Sequence, residues 1–158
     1  MKALTICQPY AHLICLPDDD DQAKRVENRT WPTSLRGEIL IHAGKSMKWL
    51  RLDDDMHDEY GIPLDKMAFG AVVAIAKLAD CVGVSIGPNG SKFHNDDAVR
   101  RRWPWLHMHQ HVEGPFCFVL TEVRRLYMPI PLKGAQGFFN VPREIEDAAR
   151  AQLVKVPA

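Results

Sequence analysis

The sequence predicts an α+β fold, a small mixed β-barrel with flanking helices. Three observations predict it. Five or six runs carry the apolar alternation or continuous apolar character of strands. Three helical stretches are inserted between those runs instead of alternating with them, which argues against a doubly wound parallel sheet. The length, 158 residues, lies within the usual range of about 100–200 residues per domain, so residues 1–158 are expected to form a single domain.

The elements follow in chain order. KALTI reads as a short strand. Pro9 suits the first turn of a helix over YAHLICL, because a helix has no use for the N–H that proline lacks. Asp18–Asp21 form a loop. A strand covers Arg25 to Trp31 and stops at Pro32. GEILIHAG is apolar on both faces, the mark of a buried strand. Ser46 to Tyr60 reads as a helix ended by Gly61. FGAVVAIAKLADCVGV, beginning at Phe69, is one long strand with a bend or bulge near its middle. Ile86 to Asp97 is a surface loop rich in Gly, Pro, Asn and Asp. GPFCFVLTEV is a second long strand, and Met128-Pro-Ile-Pro keeps the backbone extended beyond it. Lys133-Gly-Ala-Gln-Gly is a loop, Phe138–Val141 a last strand, and Pro142 opens an amphipathic helix through about Leu153.

Twenty basic and twenty acidic side chains cancel. Neutrality excludes a protein that coats a polyanion by bulk charge. The distribution is uneven. Asp18–Asp21 hold four acids, and Asp53, Asp54, Asp55, Asp58 and Glu59 five more, leaving twenty bases against eleven acids elsewhere. Solvated acidic loops beside a local basic face are therefore expected. Cys7, Cys15, Cys81 and Cys117 lie among apolar neighbours without a C-x-x-C pair, which points to reduced, buried thiols. With no apolar run near 20 residues and no convincing signal peptide, the expectation is a cytoplasmic chain without membrane contact.

Several motifs are absent: the phosphate loop, the dinucleotide fingerprint and the zinc patterns. Neither a cofactor nor a metal is expected. Gly83-Val84-Ser85-Ile86-Gly87 matches the nucleophile-elbow letters, but the strand there runs into Pro88-Asn89-Gly90 and not into a helix. Five polar clusters remain. In Lys24-Arg25-Val26-Glu27-Asn28-Arg29-Thr30-Trp31, strand alternation puts Arg25, Glu27, Arg29 and Trp31 on one face. Glu27 can hold Arg29 or Arg25 ready for phosphate or a base edge, or the run is a surface ion-pair ladder. In Ile41-His42-Ala43-Gly44-Lys45-Ser46, a small-residue turn brings Lys45 and Ser46 to receive an anion, or Ser46 only caps a helix. Gln8 can read a base edge and Tyr10 can stack on a base, or the pair simply starts a helix. His107, His109 and His111 at period two would share a strand face, although no acid or cysteine completes a metal site. Arg100-Arg101-Arg102-Trp103-Pro104-Trp105 either tracks a nucleic-acid backbone or pairs core tryptophans with solvated arginines.

Taken together, KALTICQPYAHLI, KRVENRTW, RGEILIHAGKS, FGAVVAIAKLADCV, GPFCFVLTEVRRL and IPLKGAQGFFNVP resemble, in order and over nearly the whole chain, the ASCH domain family. The resemblance implies a PUA-like β-barrel, association with RNA or another nucleic acid, and a ligand cleft across one barrel face beside the first helix. It implies that Lys24, Glu27 and Arg29, as K-x-x-E-x-R, line the cleft, with Gln8, Tyr10, Lys45 and Ser46 around it. One branch of the family hydrolyses the amide of N4-acetylcytidine with a K-x-x-T-x-R pattern and a separate Glu. Here Glu27 stands at the Thr position and the strand from Phe69 carries no Glu, Asp80 being the nearest acid. Lys24 and Glu27 are then the catalytic pair to consider, with Glu27 handling a water. A ribonuclease-like branch implies Lys45 or Lys24 stabilising a phosphorane, with Glu27 or His42 moving the proton. Three functions are thus expected in order: an RNA- or nucleotide-binding module, a small hydrolase, and a protein-interaction domain.

Overall fold

A computed structural model describes residues 1–93 and 96–154, and only the backbone at Phe93 and Val154. The elements are β1 (Lys2–Ile6), α1 (Tyr10–Ile14), β2 (Val26–Arg29), β3 (Gly37–Ala43), β4 (Ala71–Gly83), β5 (Ser85–Ile86), β6 (Lys92–Phe93), α2 (Asp97–Arg102), β7 (Phe116–Pro131), β8 (Phe138–Asn140) and α3 (Arg143–Val154). The fold is α+β. Six strands hydrogen-bond in the order β2-β7-β4-β3-β1-β8, and β5 pairs with β6. The sheet is mixed: β1 is parallel to β3 and antiparallel to β8.

The chain packs as two compact units. The first comprises residues 1–24, 38–76 and 122–158; the second, residues 25–37 and 77–121. β4 and β7 each contribute to both. In β4 the change is visible in burial. Residues 71–76 are buried in an unbroken run, and from Lys77 onward buried and more exposed positions alternate. A strand covered on both faces becomes a strand covered on one.

In the first unit α3 follows from its apolar spacing. Ile145, Ala149 and Leu153 repeat every four residues and pack on Ala3, Leu40, Val72 and Leu126. Glu38 accepts from Arg124 and Arg150, tying α3 to the sheet. α1 buries Ala11, Leu13 and Ile14. It is only five residues long, and Pro9 stands at its N-cap, one residue before the expected position.

The expected helix over Ser46 to Tyr60 does not form. Asp53 and Asp58 turn the backbone instead. The Asp53 Oδ1 accepts from the N–H of Asp55 at 3.0 Å and His57 at 2.8 Å. The Asp58 Oδ1 accepts from Tyr60 at 3.0 Å and Ile62 at 2.8 Å. Short acidic side chains that capture nearby N–H groups compete with helical bonds. Asp58 is consequently buried, unlike the exposed Asp53, Asp54, Asp55 and Glu59 of the same stretch.

The second unit is centred on Val26, Val82, Leu106, Cys117 and Val119, with Trp103 and Trp105 packed against them. β2 pairs antiparallel with β7, Glu27 opposite Phe118 and Arg29 opposite Phe116. The Asn28 Oδ1 accepts from the N–H of Glu113 at 2.9 Å and Gly114 at 3.0 Å, while its Nδ2 donates to the His111 carbonyl at 2.8 Å. One amide thus pins the turn that leads into β7. The stretch read as a loop from Ile86 to Asp97 contains the β5–β6 hairpin and the first residue of α2; His94 and Asn95 lie outside the described residues. The Asp96 carboxylate caps α2 by accepting from Ala98 and Val99.

Candidate functional site

An open pocket of about 940 Å³ lies in the first unit. Its floor follows from strand register. β1 and β3 are parallel with Thr5 beside His42, so both side chains share one face. The His42 Nε2 lies 2.7 Å from the Leu132 carbonyl. A carbonyl only accepts, so Nε2 carries the proton. Burial lowers the pKa of His42, against the weaker opposing effect of the Leu132 hydrogen bond, and keeps the ring neutral. Nδ1 then accepts from the Thr5 hydroxyl at 3.2 Å. Phe139 meets the imidazole edge-on at 5.9 Å.

Two segments supply the rim. Lys45 and Ser46 follow β3 through Gly44, and Lys133 to Gln136 follow β7. Small residues bring the second segment close: a Cβ at Gly134 would lie 2.6 Å from the His42 Cε1 and 2.8 Å from the Thr5 Oγ1. Gly70 sits beneath Lys45 in the same way. Lys45 and Lys133 are both exposed, and neither forms an ion pair with any acid among the described residues. In a chain with as many acids as bases, two neighbouring lysines without carboxylates make a local anion-attracting pocket. Three residues beyond Ser46, Trp49 is 52% exposed, with the Lys48 ammonium 5.0 Å from its ring centre.

The other expected site residues are placed as follows. Gln8 is buried, and both ends of its amide are engaged. Nε2 donates to the Ala68 carbonyl at 2.7 Å and Oε1 accepts from the His12 N–H at 2.9 Å, so Gln8 holds α1 against residue 68. Lys24 is also buried, its ammonium 5.6 Å from the centre of the Tyr10 ring. In the second unit Glu27 and Arg29 form an ion pair at 3.1 Å, the partnership that their alternation along one face suggested. Lys24 belongs to the first unit, and Glu27 and Arg29 to the second.

The remaining motifs resolve into structure. Trp103 and Trp105 pack on the second core. Asp80 accepts from the Trp103 Nε1 at 2.8 Å and from Arg102 at 2.9 Å. The tryptophans of the Arg/Trp segment are therefore core residues. His109 and His111 lie 5.5 Å apart, ring to ring, and among the described residues no three His, Cys, Asp or Glu side chains gather as a metal site. Gly83-Val84-Ser85-Ile86-Gly87 passes from β4 into the β5–β6 hairpin, with Ser85 exposed. Among the described residues no helix is long and apolar enough to cross a membrane.

Thr5, Gly70 and Lys133 are among the pocket residues that the sequence did not single out. A signal existed: Lys133-Gly-Ala-Gln-Gly repeats the lysine-and-small-residue composition of His42-Ala-Gly-Lys-Ser. The sequence matches no protein-family model and no curated protein.

Proposed function

We propose that the chain is a PUA-like domain of the ASCH type that binds RNA, as a nucleotide or short single strand, in the pocket rimmed by Lys45, Ser46 and Lys133. The observation that carries this reading is the pair of exposed lysines without carboxylate partners over a pocket of about 940 Å³. Ligand pockets span about 300–1,000 Å³, so a nucleotide fits. Phosphate is bound by the two ammoniums and the Ser46 hydroxyl. Trp49 offers a face for a base. Gln8 positions α1. Lys24 and Tyr10 in the first unit keep the ligand role that the family resemblance implies, while Glu27 and Arg29, in the second unit, form an ion pair with each other. The six motif segments in family order and the α+β mixed sheet support the fold part of the proposal.

The test is fluorescence anisotropy with a labelled single-stranded RNA at several salt concentrations. Affinity is expected to fall as salt rises, and Lys45→Ala with Lys133→Ala to weaken binding at least about tenfold. Salt-insensitive binding, or an unchanged affinity in the double variant, overturns the reading. Cleavage of the RNA, or acetate release from acetylcytidine, that disappears in Lys24→Ala would identify a hydrolase instead.

A further inference from the structure

A second, smaller pocket of about 60 Å³ lies in the same unit, and the same segments line it in turn. On β7, Arg125, Leu126, Tyr127 and Pro129 line the small pocket and Pro131 the large one. Arg125, Tyr127, Pro129 and Pro131 are alternate residues, so they share one face of the strand. Lys66 and Ala68 line the small pocket and Gly70 the large one. Gln8 borders the small pocket and Cys7 the large one. Hydrogen bonds hold the segments side by side: Leu132 N–H to the Gly70 carbonyl at 3.0 Å, and Gln8 Nε2 to the Ala68 carbonyl at 2.7 Å.

The chemistry of the small pocket matches that of the large one. Lys66 and Arg125 are exposed and form no ion pair with any acid among the described residues. His12 stands beside them on α1. Tyr127 is 90% exposed, the most exposed of the large hydrophobic side chains among the described residues. The volume equals about two water molecules, which suits a phosphate group and not a nucleobase. A base would have to lie outside, where the Tyr127 ring is.

We propose that the two pockets are successive subsites for one single strand of RNA, with a phosphate at Lys66 and Arg125, a base on Tyr127, and the next part of the strand in the Lys45–Lys133 pocket. This rests on the RNA-binding reading and narrows it to an oligonucleotide. The strand runs along β7. From Arg125 to Pro131 the strand advances about 20 Å, a distance that several nucleotides span. Four cations contact phosphate in place of two.

The experiment compares a mononucleotide with single strands of about three and about six nucleotides, using the full chain. Each neutralised phosphate on a single strand contributes about 0.7 to the slope of log affinity against log salt. The longest strand is expected to bind at least about tenfold tighter than the mononucleotide, with a slope near −1.4 against about −0.7. Lys66→Ala with Arg125→Ala is expected to reduce the longest strand's slope by about 0.7. Tyr127→Ala is expected to weaken that strand about tenfold. All three side chains are exposed, so these variants fold. Equal affinity for every length, or an unchanged slope and affinity in the variants, overturns the inference. If Lys45→Ala and Lys133→Ala still abolish binding in that case, the pocket reading stands without it. No binding at any length overturns both.

Discussion

Lys45 lays its aliphatic stem across Gly70, so closely that a Cβ at position 70 would lie 2.8 Å from Cε and 3.0 Å from Cγ. Gly70 has a φ of +63°, which an L side chain adopts only with strain. Its N–H donates to the Ala43 carbonyl at 2.8 Å and its carbonyl accepts from Leu132. One glycine therefore links the end of β3 to the end of β7 and sets where the Lys45 ammonium emerges.

Gly70→Ala is expected to act twice. The left-handed backbone costs about 1–2 kcal/mol of stability, read as a lowered melting temperature. The displaced Lys45 stem carries its ammonium off the rim, so RNA affinity falls toward that of Lys45→Ala. Lys45→Ala itself removes only an exposed side chain and is expected to melt with the wild type. If Gly70→Ala lost stability while binding RNA as the wild type does, the coupling between the two residues would be wrong.

His42 is expected to make the first unit sensitive to acid. Burial holds its pKa below the ordinary value of 6.5, and the same holds for His12, where burial acts first and Arg125 adds to it. In the unfolded chain both imidazoles take up protons near pH 6.5; in the folded chain they do so only at lower pH. The unfolded state thus binds more protons in that window, and stability declines as pH falls from about 6.5 through the folded pKa values. Melting temperature measured from pH 7.5 down to pH 5 is expected to drop, and His42→Gln to lessen the drop. A profile that is flat in the wild type, or identical in the variant, would refute the assignment.

The parts of the fold that were legible in the sequence share one cause: apolar patterning, alternating or continuous in the strands and repeating every four residues in α3. β1, β3, β4, β7, β8 and α3 were read from it. At residues 46–60, Met47, Leu50 and Met56 imitate a helical face, whereas Asp53 and Asp58 dictate the backbone by capturing N–H groups. α2 was missed although Asp96 before Asp97-Ala-Val is a cap signal. In the candidate site, Lys45 and Ser46 were legible as a turn of small residues after a buried strand. Lys133 was legible only as a lysine among small residues, because its loop becomes part of a pocket only through Gly134 packing on His42 and Thr5, residues about 90 or more positions away in the chain. Long-range closeness of that kind leaves no local pattern.

Asp80 organises the second unit, and its removal supplies the sharpest stability test there. Burial alone would raise its pKa. The Trp103 and Cys81 N–H donors outweigh this, with Arg102 and Arg36, and the carboxyl stays below its ordinary range. Arg36 reaches it at 3.3 Å and Arg102 at 2.9 Å. Asp80→Ala leaves two guanidiniums, an indole N–H and a backbone N–H facing a gap, a loss of about 1–3 kcal/mol. Asp80→Asn keeps one carbonyl oxygen but places an NH₂ against a donor, so it is expected to recover only part of that loss. The sign of the pH effect follows from the depressed pKa. The stabilisation is fully present above the unfolded value near 3.8 and disappears as pH falls through the lower folded one. Chemical denaturation at pH 7 and at pH 3 therefore separates the cases: the gap between wild type and Asp80→Ala is expected to narrow in acid. A gap of equal size at both values would mean that Asp80 acts through packing and not through charge.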